Sequence, residues 1–305
     1  MKNVLVVGGN GFLGKNLVPM LNIDYKVTSI GKSTGLNLLN IDETLLMFTK
    51  INPDVIINLA AHVGGIEYVM RNPSTIIDEN SRMYLNLYKA ASERCPNAKI
   101  INALSNCSYP SKINFYTEKE WWNGMLHPSV MSFGTPKLLL WMLGECYHIQ
   151  NGMKSISVIL PNAYGINDGT IIERTHAMNA IIMRMIQAKR NNDTTFTIWG
   201  TGTPIREWIY MPDAARIIMG CIEKEFDVTF FNAGQKQGIS ILDTTKLIAK
   251  AMNYDVEFIY DTGKPDGTPI KIMDDELFRT CFPNFQFTPY ETGIKNTIEY
   301  YEKVL

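Results

Sequence analysis

The sequence has few cysteines and no long apolar run, and each absence excludes a class of protein. Its five cysteines are odd in number, widely separated and never spaced as Cys-x-x-Cys, which disfavours both a disulfide framework and a zinc site. No stretch reaches the roughly 18 consecutive apolar residues that a membrane-spanning helix needs. The apolar run at residues 4–7 is too short for a signal peptide. We therefore expect a cytoplasmic protein without a bound metal.

The sequence also lacks an excess of charge of either sign. Its formal net charge is −1, so there is no broad basic field to hold nucleic acid or an anionic membrane surface. Hydrophobic residues make up 46% and charged residues 19%, which is typical of a globular protein. We expect a small-molecule ligand, and a few local cations are enough to bind an anionic one.

Short apolar runs alternate with helical patterns through the first half of the chain. This alternation predicts an α/β fold with a Rossmann-type, doubly wound parallel sheet. We expect a dinucleotide-binding domain over residues 1–163, to which segments within about 195–240 return, and a smaller α/β substrate-binding region over 164–305. The predicted strands lie at residues 4–7, 26–30, 54–59, 99–104, 155–160 and 195–199, and the clearest helices at 75–93, 138–147 and 177–188.

A glycine-rich turn, GGNGFLG at residues 8–14, separates the first strand from the first helix. The first glycine allows a tight turn, the second lets the backbone approach a pyrophosphate, and the third lets the helix pack on the sheet. The phosphates would lie at the helix N-terminus, where free N–H groups favour anions. An ordinary strand-to-helix turn is the alternative, but the position directly after the first strand favours a cofactor site. Its predicted residues are Gly8, Asn10, Gly11, Phe12, Leu13 and Gly14.

The end of the second predicted strand bears on which nicotinamide cofactor is bound. An acid there would hydrogen-bond the ribose 2′-hydroxyl of NAD, but this chain has Lys32 and no acid in the segment 31–33. A lysine suits the 2′-phosphate of NADP, so NADP is favoured and NAD is the alternative. Lys32 as a solvated loop residue is the other interpretation.

The glycine spacing, together with NLAA at residues 58–61, resembles the extended short-chain dehydrogenase/reductase superfamily. Further blocks resemble the GDP-L-fucose synthase family, whose members are GDP-4-keto-6-deoxy-mannose epimerase/reductases. The blocks occur in family order and at family spacing. They are AAHVGGI at 60–66, SNCSYP at 105–110, PNAYG at 161–165, WGTGTPIRE at 199–207 and KPDGTP at 264–269.

The resemblance implies roles for residues near the reacting ketone. Ser105 matches a serine that hydrogen-bonds the 4-keto oxygen, and Cys107 and His176 match the pair that exchanges protons on the carbons beside it. The C–H bonds on carbons beside a ketone are acidic enough for a thiolate or an imidazole to remove their protons. Lys137 matches the lysine that holds the nicotinamide ribose. Leu59, Ala60 and Ala61 would line the cofactor.

The resemblance also implies a nucleotide-sugar site. A diphosphate needs convergent Arg and Lys donors, which the family places at matching positions. Each residue also has a purely structural interpretation. A cysteine often fills space in a core, and a histidine before a helix often caps it. A tryptophan or an arginine can serve only in packing. The residues implied for the substrate are Asn162, Arg184, Trp199, Arg206 and Lys264.

One departure from the family pattern concerns the reduction step. The family reads Tyr-x-x-x-Lys where this chain has FGTPK at 133–137, so Phe133 replaces the phenol that protonates the alkoxide. Three explanations fit: an engineered substitution, a natural enzyme that keeps epimerisation while its reduction is impaired, or a different nucleotide-sugar reaction with another general acid. Pro136 is also unusual, although the first turn of a helix tolerates proline.

The leading hypothesis is a nucleotide-sugar epimerase/reductase that acts on a GDP-4-keto-6-deoxy-hexose-type substrate with NADP(H). The alternatives are an NAD-dependent nucleotide-sugar dehydratase or 4-oxidase, and a catalytically inactive dinucleotide-binding sensor. The resemblance further implies a homodimer built from helices near 78–93 and 135–150. The second of these is apolar on nearly all sides, which fits a helix covered on two faces, although burial within one chain is the alternative.

Overall fold

The computed structural model describes residues 1–31, 34–113, 115–264 and 266–305. Its main feature is a six-stranded parallel sheet with the strand order β10-β5-β4-β3-β1-β2. The order reverses direction at β1 and β3, so the sheet is doubly wound and the predicted fold class is confirmed. The six strands are β1 (Asn3–Val7), β2 (Lys26–Ile30), β3 (Val55–Asn58), β4 (Lys99–Ser105), β5 (Ser155–Leu160) and β10 (Phe230–Asn232).

Helices cover both faces of this sheet. Because side chains alternate along a strand, Val4 and Val6 of β1 pack into one hydrophobic cluster while Leu5 and Val7 pack into the other. A strand buried on both faces reads as a continuous apolar run, as residues 4–7 do. The first cluster includes residues of α1 (Phe12–Leu21), α7 (Met211–Gly220) and α9 (Glu276–Cys281); the second includes residues of α2 (Ile41–Ile51), α4 (Pro73–Arg94) and α5 (Met131–Asn151).

A third hydrophobic cluster lies in the second half of the chain, where three helices pack with a pair of parallel strands. The shorter strands form separate sheets of two and three strands. The cluster draws on α6 (Ala177–Asn191), α8 (Ile241–Ala251), α10 (Tyr290–Val304), β7 (Thr195–Trp199) and β12 (Glu257–Asp261). The remaining elements are α3 (Ile66–Arg71), β6 (Asn162–Tyr164), β8 (Ile205–Arg206), β9 (Trp208–Tyr210), β11 (Ile239–Ser240) and β13 (Ile270–Lys271).

The sequence patterns located five of the six main strands closely, but β10 had no counterpart among the predicted strands, and the other errors lie in the helices. Helix α5 begins seven residues before the predicted 138, so Pro136 is its sixth residue and not a first-turn residue as expected. Helix α2 had no counterpart among the predicted elements. β10 and α7 pack with the main sheet, whereas β7 pairs with β12 in the other part. The domain boundaries themselves stay a prediction.

Among the described residues, no helix combines the length and the apolar character that a membrane crossing requires.

Candidate active site

The glycine-rich turn joins β1 to α1 at the carboxyl end of the sheet. Gly8 has a φ of +84°, and its N–H donates to the carbonyl of Ile30 at 2.8 Å. A Cβ on Gly8 would lie 2.8 Å from the backbone nitrogen of Ala60, and one on Gly14 would lie 2.4 Å from the backbone of Gly9. Both contacts are too short for any side chain, so only glycine allows β1, β3 and α1 to approach this closely.

The start of α1 is suited to an anion. Gly11 is its N-cap residue, is extended, and has no side chain to satisfy the free N–H groups of the first turn. No acidic residue lies in that turn to compete for them. A pyrophosphate therefore fits this cradle. Around it lie exposed Asn10, half-buried Phe12 and buried Leu13 of the turn, and Leu59 and Ala61 beside Ala60 after β3. Lys32, predicted to meet a 2′-phosphate, lies outside the described residues.

Ser105 and Cys107 follow directly from the carboxyl end of β4. The Ser105 side chain caps a 3-10 turn, Asn106–Ser108, by accepting a hydrogen bond from the Cys107 N–H at 3.3 Å. The Ser108 hydroxyl donates to the Ser105 carbonyl at 2.6 Å. The turn leaves Ser105 and Cys107 half-buried, at the same sheet edge as the glycine turn.

Helix α5 brings Phe133 and Lys137 against this turn. A Cβ on Gly134 would lie 2.5 Å from the Cys107 carbonyl oxygen, so the bare glycine sets how closely the helix packs. The Lys137 amine donates to the Ala103 carbonyl at 2.9 Å and lies 5.7 Å from the centre of the Phe133 ring. Complete burial lowers the pKa of Lys137 to about 7.

His176 is held by a carboxylate that the sequence analysis did not single out. The Asp168 Oδ2 atom accepts hydrogen bonds from the ring Nδ1 and from the backbone N–H of His176, each at 3.0 Å. Burial acts to raise the pKa of Asp168, but the hydrogen bond and charge of His176 hold it below its ordinary value. Since the carboxylate only accepts, Nδ1 carries the proton, and Nε2 is the ring nitrogen that this bond leaves unused.

The loop that carries this pair is attached to the cofactor side. The rings of His176 and Phe12 lie 5.0 Å apart between centroids. The Asn16 amide donates to the Ile166 carbonyl at 2.9 Å, which ties the loop to α1. The Asn179 amide donates both to the Gly165 carbonyl and to Asp168. The structure thus brings His176 beside the glycine turn, from which it is separated by more than 160 residues.

A cluster of cations surrounds Trp199 at the end of β7. The guanidinium carbon of Arg184 lies 4.5 Å and the amine of Lys264 lies 5.3 Å from the centre of the indole ring, which is 45% exposed. Lys264 also forms an ion pair with Glu67 of α3 at 3.0 Å. Burial lowers the pKa of Arg184. The three predicted substrate residues therefore form one group.

Arg206 lies deeper and is oriented by backbone carbonyls. It donates to the carbonyls of Ile205 at 2.9 Å and Asp266 at 3.0 Å. The Asp266 carboxylate accepts from both the N–H and the hydroxyl of Thr201, each at 2.8 Å. These bonds join the turn after Trp199 to the loop that carries Lys264 and Asp266, and that loop also accepts from Arg206.

Asn162, which the resemblance implies as a substrate-orienting amide, is the first residue of β6. Its Nδ2 atom donates to the Glu207 carbonyl at 3.2 Å. Because an amide carries a second N–H and an acceptor oxygen, this bond leaves it able to bind a ligand.

The sequence analysis missed Asp168 and Asp266. Asp168 precedes His176 by eight residues in a polar loop, and an acid near a suspected catalytic histidine was the available signal. Asp266 lies inside the KPDGTP block, but an acid is not expected among the ligands of a diphosphate.

The sheet is parallel and doubly wound, and its first turn is a glycine cradle at a helix N-terminus. This combination defines a dinucleotide-binding protein of the Rossmann class. The chain belongs to the NAD dependent epimerase/dehydratase family, whose model matches residues 4–234.

The chain is also similar to GDP-L-fucose synthases. The chain is 29% identical to a probable GDP-L-fucose synthase of Drosophila melanogaster, over 99% of this chain and 97% of the relative. It is also 29% identical to the GDP-L-fucose synthase of Dictyostelium discoideum, over 98% and 95%. A crystal structure of a GDP-L-fucose synthetase from Naegleria fowleri bound to NADP superposes with a TM-score of 0.86 at 27% identity, covering 99% of this chain and 93% of that one.

Proposed function

We propose that the protein is a nucleotide-sugar epimerase/reductase that acts on a GDP-4-keto-6-deoxy-hexose-type substrate with NADP(H). The observation that carries the proposal is the placement of Cys107 and the Asp168-oriented His176 at one sheet edge beside the glycine cradle. The names of the relatives and the NADP bound in the Naegleria structure support the substrate and cofactor classes.

The glycine turn would hold the pyrophosphate of the cofactor, and Leu59 to Ala61 would line its path. Bound NADPH would supply a hydride to the substrate. Lys137 reaches the same edge from α5 and is proposed to meet the nicotinamide ribose. Its desolvated amine has only the Ala103 carbonyl as a hydrogen-bond acceptor among the described residues, so a ribose hydroxyl would give it a second one.

Cys107 and His176 would exchange protons on the carbons beside the ketone. A proton removed by one of them leaves an enolate, and return of a proton by the other inverts the carbon. The Ser105 hydroxyl is proposed to hydrogen-bond the keto oxygen and stabilise the enolate charge. Asp168 acts as a positioning residue because it keeps the His176 ring in one tautomer and one orientation.

The cluster around Trp199 would bind the nucleotide. Arg184, Arg206 and Lys264 supply donors for a diphosphate, which needs several convergent cations. The partly exposed indole offers a flat face for the base or the sugar.

Deuterium exchange tests the proposal directly. The protein, loaded with NADP⁺ to prevent reduction, is incubated with a GDP-4-keto-6-deoxy-hexose in deuterated water, and label is read by mass spectrometry. We expect label at the carbons flanking the ketone, and a reduction of about 10²-fold or more in Cys107→Ser and His176→Asn. Absence of label with every GDP- and UDP-linked keto sugar would contradict the roles of both residues.

The enzymatic alternative is an NAD-dependent dehydratase or 4-oxidase, in which another general acid replaces the phenol that Phe133 lacks. Such an enzyme recycles its cofactor and would copurify with NAD. Binding titrations with GDP, UDP, dTDP and CDP sugars against NADP and NAD separate it from the proposed epimerase/reductase. Preferential binding of NAD, with recycling of the cofactor, would replace our proposal.

We also propose that the protein is a homodimer formed through α4 and α5. Ile77 and Leu85 of α4 and Ile149 of α5 are exposed apolar residues on these neighbouring helices. Light scattering coupled to gel filtration tests the dimer, and Leu85→Glu should yield monomers if α4 forms the contact.

A further inference from the structure

Tyr116 is a phenol that the structure brings beside Cys107, although it is 17 residues from the position where the family has its tyrosine. We propose that Tyr116 donates the proton to the oxygen of the substrate's keto group, in place of the phenol that is missing at position 133. This role rests on the proposed epimerase/reductase function.

Three backbone hydrogen bonds fix where Tyr116 lies. Its N–H donates to the Ile272 carbonyl at 2.8 Å, and its carbonyl accepts from the Asp274 N–H at 2.9 Å and from the Asn232 amide at 2.8 Å. These bonds join the segment after β4 to the residues that follow β13 and to Asn232 of β10. The Tyr116 backbone is therefore held in place by two separate parts of the chain.

One side of the Tyr116 ring belongs to the Cys107 segment. The rings of Tyr109 and Tyr116 are stacked, with centroids 4.5 Å apart and an interplanar angle of 16°. Tyr109 follows Cys107 by two residues, and its hydroxyl donates to the Asn232 side chain at 2.8 Å. The stack thus places Tyr116 against a rigid part of the turn that carries Cys107.

The Tyr116 backbone pairs with the segment that follows β13. Tyr116 forms an isolated parallel bridge with Met273, whose N–H donates to the Glu207 carboxylate at 2.7 Å. Two residues earlier, Lys271 of β13 pairs with Arg206 of β8. Tyr116 consequently links the turn of a residue proposed for proton exchange to the strand pair of a residue proposed for the diphosphate.

The state of the phenol agrees with a donor role. Burial raises the pKa of Tyr116, the charge of Cys107 raises it further, and the charge of Arg206 lowers it. The phenol therefore keeps its proton at neutral pH. The side chain is almost fully buried. Within the described ranges no hydrogen bond occupies the Tyr116 hydroxyl, unlike that of Tyr109, so a ligand oxygen would be its acceptor.

The proton balance of the step is simple. The keto carbon would gain its hydride from NADPH, which becomes NADP⁺; a C–H bond forms at the keto carbon and the carbonyl π pair moves to oxygen. The Tyr116 O–H bond breaks, its proton forms the new sugar hydroxyl, and the phenolate recovers a proton from water. The same hydrogen bond would stabilise the enolate oxygen during epimerisation.

Four proteins test the assignment: the natural chain, Tyr116→Phe, Phe133→Tyr, and the variant carrying both changes. Tyr109→Phe is the matched control, because it removes a stacked phenol whose hydroxyl is used within the protein. NADPH oxidation is followed in single turnover. Binding of a GDP-4-keto sugar labelled with ¹³C at the keto carbon is followed by NMR without NADPH, because a hydrogen bond to the oxygen moves that signal.

We expect Tyr116→Phe to slow reduction by about 10²–10⁴-fold and to remove the ¹³C shift, while Tyr109→Phe retains the shift. Phe133→Tyr in the same chain should restore most of the lost rate, which a purely structural role would not allow. The assignment is overturned if Tyr116→Phe leaves the ¹³C shift unchanged, if Phe133→Tyr fails to restore the rate of Tyr116→Phe, or if the natural chain oxidises no NADPH. In each of these cases deuterium exchange would continue, whereas failure of the proposed function would remove exchange as well.

Discussion

The amine of Lys137 lies 5.7 Å from the centre of the Phe133 ring, one helical turn earlier on α5, and donates its hydrogen bond to the Ala103 carbonyl. A phenol at position 133 would have offered this amine an oxygen; the phenylalanine offers only a ring face. The lysine is nevertheless fully buried. This pair keeps the geometry of a Tyr-x-x-x-Lys site without its acid, and the consequences can be measured.

Lys137 should make the stability of the apoprotein depend on pH. Its folded pKa of about 7 lies below its ordinary value of 10.5, so between these values the unfolded chain binds a proton that the folded chain does not. Stability from this site therefore rises with pH across that window, by up to about 1.4 kcal/mol per pH unit. Lys137→Met should remove this slope. Urea unfolding at pH 7, 8 and 9 measures it, and parallel curves for the two proteins would contradict the burial of the charge.

Asp168→Asn should impair proton exchange without unfolding the protein. An asparagine can present its NH₂ group to Nδ1 and stabilise the wrong imidazole tautomer, so we expect deuterium exchange to slow by about 10²–10⁴-fold. Asp193→Asn, at an exposed position after α6, is the control. An unchanged rate would show that Asp168 only shapes the loop.

Gly14→Ala should weaken both the fold and cofactor binding. The added Cβ would lie 2.4 Å from the Gly9 backbone, so α1 must move away from the turn. Overpacking of this kind costs about 1–3 kcal/mol of unfolding free energy, which chemical denaturation measures. NADPH affinity, read from its fluorescence, should fall by about tenfold or more. Lys15→Ala, at an exposed position on the same helix, should leave both values close to those of the natural chain.

Glu67 should compete with the substrate for Lys264. Their 3.0 Å ion pair spans from α3 to the substrate loop, and the hydrogen bond from Lys264 holds the pKa of Glu67 below its ordinary value. Glu67→Gln should therefore raise the affinity for GDP by about two- to fivefold at low ionic strength, and less in high salt. Calorimetry at two salt concentrations measures this. Glu299→Gln, which breaks an exposed pair with Lys295 on α10, is the control. Weaker GDP binding in Glu67→Gln would mean that the ion pair helps to build the site.

Local sequence patterns predicted much of the fold. The bounds of β2, β5 and β7 agree with the prediction because a short apolar or alternating run ended by turn residues is readable without its neighbours. Helix α5 was misjudged because a proline at its sixth residue reads as a helix start, and packing of α5 on the turn of Cys107 and on α4 overrides that local preference.

The sequence by itself determined the doubly wound sheet, the glycine cradle and the set of residues that resemble a nucleotide-sugar enzyme, since each depends on spacing along the chain. Only the tertiary structure decided that Asp168 orients His176, that Lys137 is desolvated, and that Tyr116 joins the turn of Cys107 to the segment after β13. These relationships pass through loops and short strands, and the last of them joins residues far apart in the chain. Their distances depend on how the two halves of the molecule pack, and no periodicity or motif encodes that packing.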